Sequence, residues 1–215
     1  VVYTYFFRRG STGQVDLSVE HYIFDGELSY ATYQLHETSE IAEPGDTLVE
    51  GYDGEQAWLT INGQRVTGED AVHSAWFTRT TNYYWFAMMP KLLDPGTIHT
   101  YKGTREHGGV TYDLVEVTFE TDKPSDTYLL YLNPETKLVD RFLFTVIDFG
   151  RTEPLLMEVE YAEVDGLLLP AKRRFTPATG WDGGIPDDAV WTDEIMTHIR
   201  FDNGLKRTMF APPSE

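Results

Sequence analysis

Most of the chain alternates between apolar and polar positions with a period of two, as in β-strands that bury one face. The run Val15–Ile23 shows this clearly, because every second residue from Val15 onward lies on one strand face. Asp25-Gly26 follows this run, and such a dipeptide between alternating segments is a strong hairpin signal. Similar short runs and turn dipeptides recur along the chain. They predict about a dozen strands, which is typical of an antiparallel barrel or sandwich.

One segment breaks this alternation, and its apolar residues are spaced as in a helix. The helix is expected near residues 69–89, with Glu69 and Asp70 in its first turn, where acidic residues are favoured, and Pro90 at its end. The polar and β-branched run Thr78–Asn82 weakens its middle, so one helix and two short helices both fit the sequence. Strands around a helical insertion predict a mainly β protein. Because no shift in composition marks a boundary, we expect a single domain over residues 1–215.

The helical segment is unusually rich in aromatic residues. An amphipathic helix needs one apolar stripe to cover a sheet, whereas residues 83–89 are apolar all the way round and need partners on both sides. One interpretation is a helix that fills a curved sheet. The other is that large, adaptable side chains line a cavity for an apolar ligand. The candidate ligand-binding residues are Trp76, Phe77, Tyr83, Tyr84, Trp85, Phe86, Met88, Met89, Leu92 and Leu93.

Composition restricts the partners. The chain has 35 acidic and 17 basic side chains and a formal net charge of −18. This charge repels nucleic acid and anionic membrane surfaces, so neither is an expected partner. No apolar run approaches the ~20 residues of a transmembrane helix. The chain has no cysteine, which excludes disulfides, thiolate metal sites and a cysteine nucleophile.

No catalytic motif is present: the chain has no nucleophile elbow, phosphate-binding glycine loop or zinc-binding helix. The six histidines are scattered, so we expect no metal site, no cofactor and no enzymatic activity. One alternative remains open, a glycan hydrolase that uses Asp182, Asp187 or Asp188 in the glycine-rich loop 176–191. Another is a structural or interaction domain, in which the aromatic segment packs a filled core or a partner subunit.

Three stretches carry a family resemblance: Tyr83–Gly96, Leu130–Arg141 and Val164–Arg173. They resemble segments in a branch of secreted bacterial proteins similar to the outer-membrane lipoprotein-sorting (LolA/LolB-like) superfamily. The order of elements agrees over nearly the whole chain, with strands, a helical insertion and then a long meander.

The resemblance implies a half-open antiparallel β-barrel of about 11–12 strands with a helical lid. In the carriers of this superfamily, the concave apolar face holds the acyl chains of a lipoprotein. The resemblance therefore implies a carrier or sensor without enzymatic activity, which binds a lipid or another hydrophobic small molecule and has a lipoprotein as a further candidate partner. It also implies a periplasmic or cell-surface location, with a secretion signal expected upstream of Val1.

Overall fold

The computed structural model describes residues 1–213. Along the chain, six strands precede a single α-helix and seven strands follow it. The helix, α1, spans Glu69–Lys91. The strands are β1 (Val2–Arg8), β2 (Val15–Ile23), β3 (Leu28–His36), β4 (Leu48–Tyr52), β5 (Ala57–Ile61), β6 (Gln64–Val66), β7 (Thr97–His107), β8 (Val110–Phe119), β9 (Tyr128–Leu132), β10 (Val139–Val146), β11 (Arg151–Val164), β12 (Leu167–Pro177) and β13 (Thr192–Arg200).

The strands form one antiparallel sheet in the order β6-β5-β4-β3-β2-β1-β13-β12-β11-β10-β9-β8-β7. Within residues 1–213, β6 and β7 are the two edges, so the sheet is not closed. The predicted fold class, a mainly β antiparallel sheet that stays open and carries one helical insertion, is confirmed. The thirteen strands exceed the prediction of about 11–12 by one.

Turn residues set the register of the hairpins as the sequence predicts. Asn62 and Gly63 join β5 to β6 with φ angles of 54° and 77°, and the strands pair from Ile61 and Gln64 outward. Two positive φ values in a two-residue loop identify a type I′ turn, whose twist matches that of the strands. The signal at Asp25-Gly26 likewise falls in the loop between β2 and β3.

The polar run in the middle of α1 does not break the helix, which is a single element. Thr78 donates its hydroxyl hydrogen to the carbonyl of Ser74 at 3.0 Å, and Thr80 donates to that of Trp76 at 2.8 Å. These bonds to the preceding turn satisfy the hydroxyls inside the helix. Of the two possibilities left by the sequence, one helix is therefore the observed one.

The C-terminal end of α1 lies slightly beyond the predicted end. The helix continues through Pro90 to Lys91, so the expectation that Pro90 stops it was wrong. Proline lacks an N–H, but in the last turn this removes one hydrogen bond without affecting any following turn. The carbonyl of Pro90 then accepts the N–H of Leu93 at 2.9 Å, and Lys91 pairs with Asp94 at 2.8 Å.

The chain divides into two compact units. Unit 1 contains Val1–Met88, Ala162–Leu169 and the C-terminal segment from Glu194 onward, and unit 2 contains Met89–Tyr161 and Pro170–Asp193. Each unit has its own apolar clusters.

In unit 1, α1 packs on the sheet at two places. Toward its C-terminal end, the ring of Phe86 stacks on Tyr3 with a centroid distance of 5.2 Å, and Tyr83 meets Tyr22 edge to face at 5.5 Å. Nearer its N-terminus, small residues of the helix pack in a second cluster of buried residues, comprising Ala42, Leu48, Leu59, Ala71 and Ala75. Both contacts bury apolar surface and so hold the helix against the strands.

In unit 2, the loop between β12 and β13 (residues 178–191, here the β12–β13 loop) covers one face of the sheet. Ala178 and Trp191 pack on a cluster formed by Tyr112, Leu114, Leu129, Tyr131, Leu143 and Leu156. The opposite face is also buried at Leu130, Phe142 and Met157. This explains why the sequence of these strands is apolar on both faces.

Among the residues that the structure describes, no helix combines the length and apolar character needed to cross a membrane.

Candidate functional site

The ten predicted ligand-binding residues differ in exposure and fall in both units. Five are buried, namely Tyr83, Trp85, Phe86, Met88 and Leu92. Four are half-buried, namely Trp76, Phe77, Tyr84 and Met89. Leu93 is 80% exposed. Residues up to Met88 belong to unit 1, and the last three belong to unit 2.

The buried residues of this set that face the unit 1 sheet have protein partners. Tyr83 and Phe86 share one cluster with Tyr3, Tyr5 and other buried residues of unit 1. They therefore hold α1 against β1 and β2 in this conformation.

The three predicted residues in unit 2 lie around the end of the helix. The Tyr161 hydroxyl donates to the carbonyl of Val139 at 2.9 Å and lies 3.9 Å from the sulfur of Met89. Burial raises the pKa of Tyr161 to about 12, so it remains a hydrogen-bond donor at neutral pH. The carbonyl of Leu92 is 2.7 Å from His99 Nε2. These contacts fix the segment that follows α1.

A groove in unit 1 lies between the start of α1 and the strands β5 and β6, with a volume of about 510 Å³. Its apolar lining comes from Ala57, Trp58, Val66, Val72 and Trp76. Polar residues complete the lining, namely Gln56, Arg65, Thr67, Glu69 and His73. Trp76 is the one predicted binding residue among those that line this groove, and we call the feature the Trp76 groove.

The position of the Trp58 indole depends on a glycine. Gly51 on β4 pairs with Trp58 on β5, and a Cβ atom at position 51 would collide with the indole ring. The missing side chain lets the indole lie against the neighbouring strand. The indole N–H also donates to the carbonyl of Phe210 at 2.8 Å, which fixes the orientation of the ring.

Behind the same helix lies a buried ionic cluster, which we call the Arg79 cluster: Arg79, Glu20, Glu50, Tyr33 and Tyr22. Arg79 is completely buried, and its guanidinium lies 2.6 Å from Glu20 and 3.1 Å from Glu50. Its Nη2 donates to the Tyr33 hydroxyl at 2.9 Å, and Tyr33 donates to Glu50 at the same distance. Tyr22 donates to Glu20 at 3.0 Å. The cluster therefore joins α1 to β2, β3 and β4.

The charges of the Arg79 cluster balance only in part, because two carboxylates share one guanidinium. Burial raises the pKa of Glu50, although Arg79 opposes this shift. Burial by itself would lower the pKa of Arg79. The interactions with Glu20 and the other acidic groups around it outweigh burial, so the net pKa lies well above its ordinary value. Arg79 thus stays positively charged, whereas burial favours the protonated form of Glu50. A network whose groups bind one another is suited to anchoring a helix rather than to catalysis.

The strand face that carries Glu20 explains why the sequence did not reveal this cluster. On β2, the deeply buried residues are Ser18, Glu20 and Tyr22, whereas the alternate face from Val15 to Ile23 is half-buried. The polar-looking face is therefore the one turned toward buried partners. The signal that could have found it is an arginine within the helical segment together with a glutamate on an otherwise strand-like run.

The loop carboxylates of the hydrolase alternative are solvent-exposed. Asp182, Asp187 and Asp188 are all exposed, and Asp182 accepts the backbone N–H of Gly184 at 3.2 Å. An exposed carboxyl lacks the apolar surroundings that a general acid in a glycosidase uses. Within residues 1–213, no group of three or more histidine and carboxylate side chains is arranged to hold a metal ion.

No protein-family model matches the chain, and no curated protein matches it in sequence. Similar solved structures exist. A DUF1329 family protein from Desulfovibrio piger has a TM-score of 0.56 and 14% identity, covering 98% of this chain and 88% of the other. A LolA superfamily protein from Nitrosomonas europaea has a TM-score of 0.54 and 12% identity, with coverage of 98% and 89%. A putative outer membrane lipoprotein-sorting protein domain from Vibrio parahaemolyticus has a TM-score of 0.53 and 9% identity, with coverage of 97% and 87%.

These likenesses span nearly the whole chain and show that it has the fold of the LolA-like proteins. The resemblance stated from the sequence is thereby confirmed at the level of fold. At identities of 9–14% this likeness concerns the fold, and function depends on the residues of the site.

Proposed function

We propose that this protein binds a hydrophobic ligand, a lipid or the acyl chain of a lipoprotein, as a non-enzymatic carrier or sensor in the periplasm or at the cell surface. The proposal draws on the LolA-like fold and on the Trp76 groove. The groove is the single observation that carries it, because it leaves space beside a predicted binding residue.

The size and lining of the Trp76 groove suit an apolar ligand. Its volume of about 510 Å³ lies within the range of roughly 300–1,000 Å³ found for small-molecule sites. Val72 and Trp76 supply apolar side chains, and an indole ring offers a large contact area at a low cost in conformational entropy. Burial of each methylene group would contribute about 0.8 kcal/mol, so affinity should rise with chain length.

The remaining predicted residues of α1 are proposed to form the wall behind the ligand. Trp85 is 7% exposed and Met88 is 1% exposed, so they serve either the core or a deeper part of the site. Substitution separates these two roles, because a core residue supports folding whereas a pocket residue supports uptake.

The test is a titration with a fluorescent fatty acid, together with native mass spectrometry of the purified protein. We expect saturable uptake by the wild type and weaker uptake by Trp76→Ala. Trp181→Ala is the matched control, since Trp181 lies on the β12–β13 loop of unit 2 and is 37% exposed. A wild type without saturable uptake, or equal uptake by the two tryptophan variants, would contradict the proposal for this groove.

Trp85→Ala and Met88→Ala extend the same test along the helix. Lost uptake in a folded variant would assign the residue to the binding site. Lost stability with unchanged uptake would assign it to the core and restrict the site to the Trp76 end of α1.

A further inference from the structure

Two arginines in unit 2 lie against the ring of a single tyrosine. The guanidinium carbon of Arg141 is 5.3 Å from the centroid of the Tyr131 ring, and that of Arg105 is 5.6 Å from it. Arg105 also donates from Nη1 to the Tyr131 hydroxyl at 2.6 Å. Arg141 on β10 pairs with Tyr131 on β9, so the sheet register itself places them together. Two like charges are therefore held around one ring.

The buried arginine of this pair has unused hydrogen-bond donors. Arg141 is 4% exposed, and its Nε and Nη1 atoms have no hydrogen-bond partner. These atoms carry three of the five N–H groups of a guanidinium. Its Nη2 donates to the carbonyl of Gly183 at a long 3.4 Å. Among the described residues, neither Arg105 nor Arg141 forms an ion pair with a carboxylate.

The acidic residues nearest in the fold are engaged elsewhere. Glu158 on β11 pairs across the sheet with Arg141 on β10, but its carboxylate binds Arg174 at 2.6 Å. Asp140 accepts hydrogen bonds from Tyr112 at 3.1 Å and from Asn133 at 2.8 Å. The positive charge of the two arginines is thus left without a full negative counterpart in a protein of net charge −18.

His107 lies two residues after Arg105 on β7 and is exposed, so the two side chains project from the same face of the strand. Burial lowers its pKa, the charge of Arg141 lowers it further, and Glu158 opposes both. The imidazole is therefore neutral at neutral pH and keeps one N–H to donate.

The β12–β13 loop lies directly over the two arginines. The carbonyl of Trp181 accepts from Arg105 at 2.9 Å, and that of Asp182 accepts from Tyr131 at 3.3 Å. At Gly183, φ is 82° and a Cβ atom would lie 2.6 Å from the Tyr131 hydroxyl, so the close approach requires glycine. Neutral carbonyls offer a guanidinium only part of the stabilisation that an anion provides.

We propose that Arg105, Arg141 and His107 form a binding site for a phosphate group at the edge of the β12–β13 loop. Guanidinium groups bind phosphate through several parallel N–H donors, and the three N–H groups left unused on the buried arginine match this requirement. The phosphate belongs either to a small phosphorylated solute or to the head group of an anionic lipid. The site is distinct from the Trp76 groove, since its residues belong to unit 2, and the proposal does not depend on hydrophobic uptake.

Isothermal titration calorimetry tests the site with two probes, inorganic phosphate and short-chain dihexanoyl phosphatidic acid, both at an ionic strength held constant with sodium chloride. We expect saturable binding with one site per chain. Arg105→Met and Arg141→Met should each weaken it by about tenfold or more, since each removes a charge-assisted hydrogen bond. Arg207→Met is the matched control, because Arg207 is an exposed arginine of unit 1 that pairs with Asp25.

The two probes distinguish the source of the phosphate group. Inorganic phosphate that binds as tightly as the lipid, or more tightly, would identify a free phosphate site, and tighter binding of the lipid would identify a head-group site. If Arg141→Met does not fold, the half-buried Arg105 still provides the test through its own variant. The proposal fails if the wild type shows no saturable heat with either probe, or if Arg105→Met and Arg207→Met bind phosphate equally.

Discussion

Arg79 in unit 1 and Arg141 in unit 2 are both almost inaccessible to solvent, with exposures of 0% and 4%, yet their surroundings are opposite. Arg79 contacts two carboxylates and a tyrosine hydroxyl. Arg141 has a long bond to a carbonyl, the face of an aromatic ring and three N–H groups without a partner. Burial alone therefore does not reveal what an arginine does. What distinguishes the two is whether the guanidinium N–H groups have partners. An arginine with all of them bonded anchors the fold, whereas one with unpaired N–H groups can still bind a ligand.

The difference also appears in what each arginine connects. Arg79 lies on the helix, and its partners Glu20 and Glu50 lie on separate strands, so its hydrogen bonds connect the helix to the sheet. Arg141 lies on a strand and is covered by a loop that contributes only carbonyl oxygens. We expect the same substitution to have different effects at the two positions.

The largest effect is expected for Arg79→Met. Loss of the guanidinium would leave Glu20 and Glu50 buried without a counter-charge, and breaking a buried ion pair in this way costs about 3–5 kcal/mol. Urea unfolding followed by circular dichroism measures the loss. In the control Arg207→Met, which removes an exposed pair, the free energy of unfolding should change by less than about 1 kcal/mol. Equal losses in both variants would remove the basis for calling the cluster an anchor.

A second effect concerns pH and Glu50. Because its pKa is raised in the folded state, its contribution to stability is present below the pKa of the unfolded chain and is lost as pH rises through the folded-state pKa. Glu50→Gln removes this dependence, since the amide does not titrate. The stability of the variant relative to wild type should therefore rise from acidic to neutral pH, by about 1.4 kcal/mol for each unit of the shift.

Urea midpoints measured across this pH range provide the comparison for Glu50. Glu55→Gln is the matched control, because Glu55 is an exposed glutamate in the neighbouring turn. A constant difference between Glu50→Gln and wild type at every pH would show that Glu50 is not destabilised by burial.

The smallest effect on stability is expected for Arg141→Met. Replacing a buried charge that has no counter-ion by an apolar side chain of similar length is often neutral or stabilising. The free energy of unfolding should change by less than about 1 kcal/mol, in contrast to Arg79→Met. Thermal unfolding in a phosphate-free buffer makes the measurement. A large loss would mean that Arg141 is itself an anchor, and the comparison between the two arginines would no longer hold.

The fold was largely predictable because it rests on local signals. Alternation gave the strands, and turn residues such as Asn62-Gly63 marked their ends, since positive φ angles are chemically restricted. The helix was placed correctly at its start, whereas its end depended on how the last turn tolerates Pro90. Local sequence does not determine the residue at which the helix ends.

The sites were less predictable because they depend on distant pairs. Arg79 meets Glu20 from 59 positions away, and Arg105 meets the carbonyl of Trp181 from 76 positions away. Neither pair leaves a pattern in a single sequence, because a charged residue on an alternating strand has the same appearance whether it faces solvent or a buried partner. Of the aromatic residues chosen from composition, Trp76 lines the groove. The place of the Trp58 indole, which sequence reasoning did not select, depends on a glycine on another strand.

The contact between Gly51 and Trp58 has a consequence for the side of the sheet that faces away from α1. Glu50 and Leu59 pair with each other and point toward the helix, so Gly51 and Trp58, the next pair in register, point the other way. Even a methyl group at position 51 would force the indole away from β4 and from the carbonyl of Phe210 to which it donates. One backbone hydrogen atom therefore determines how closely the segment around Phe210 lies against this strand.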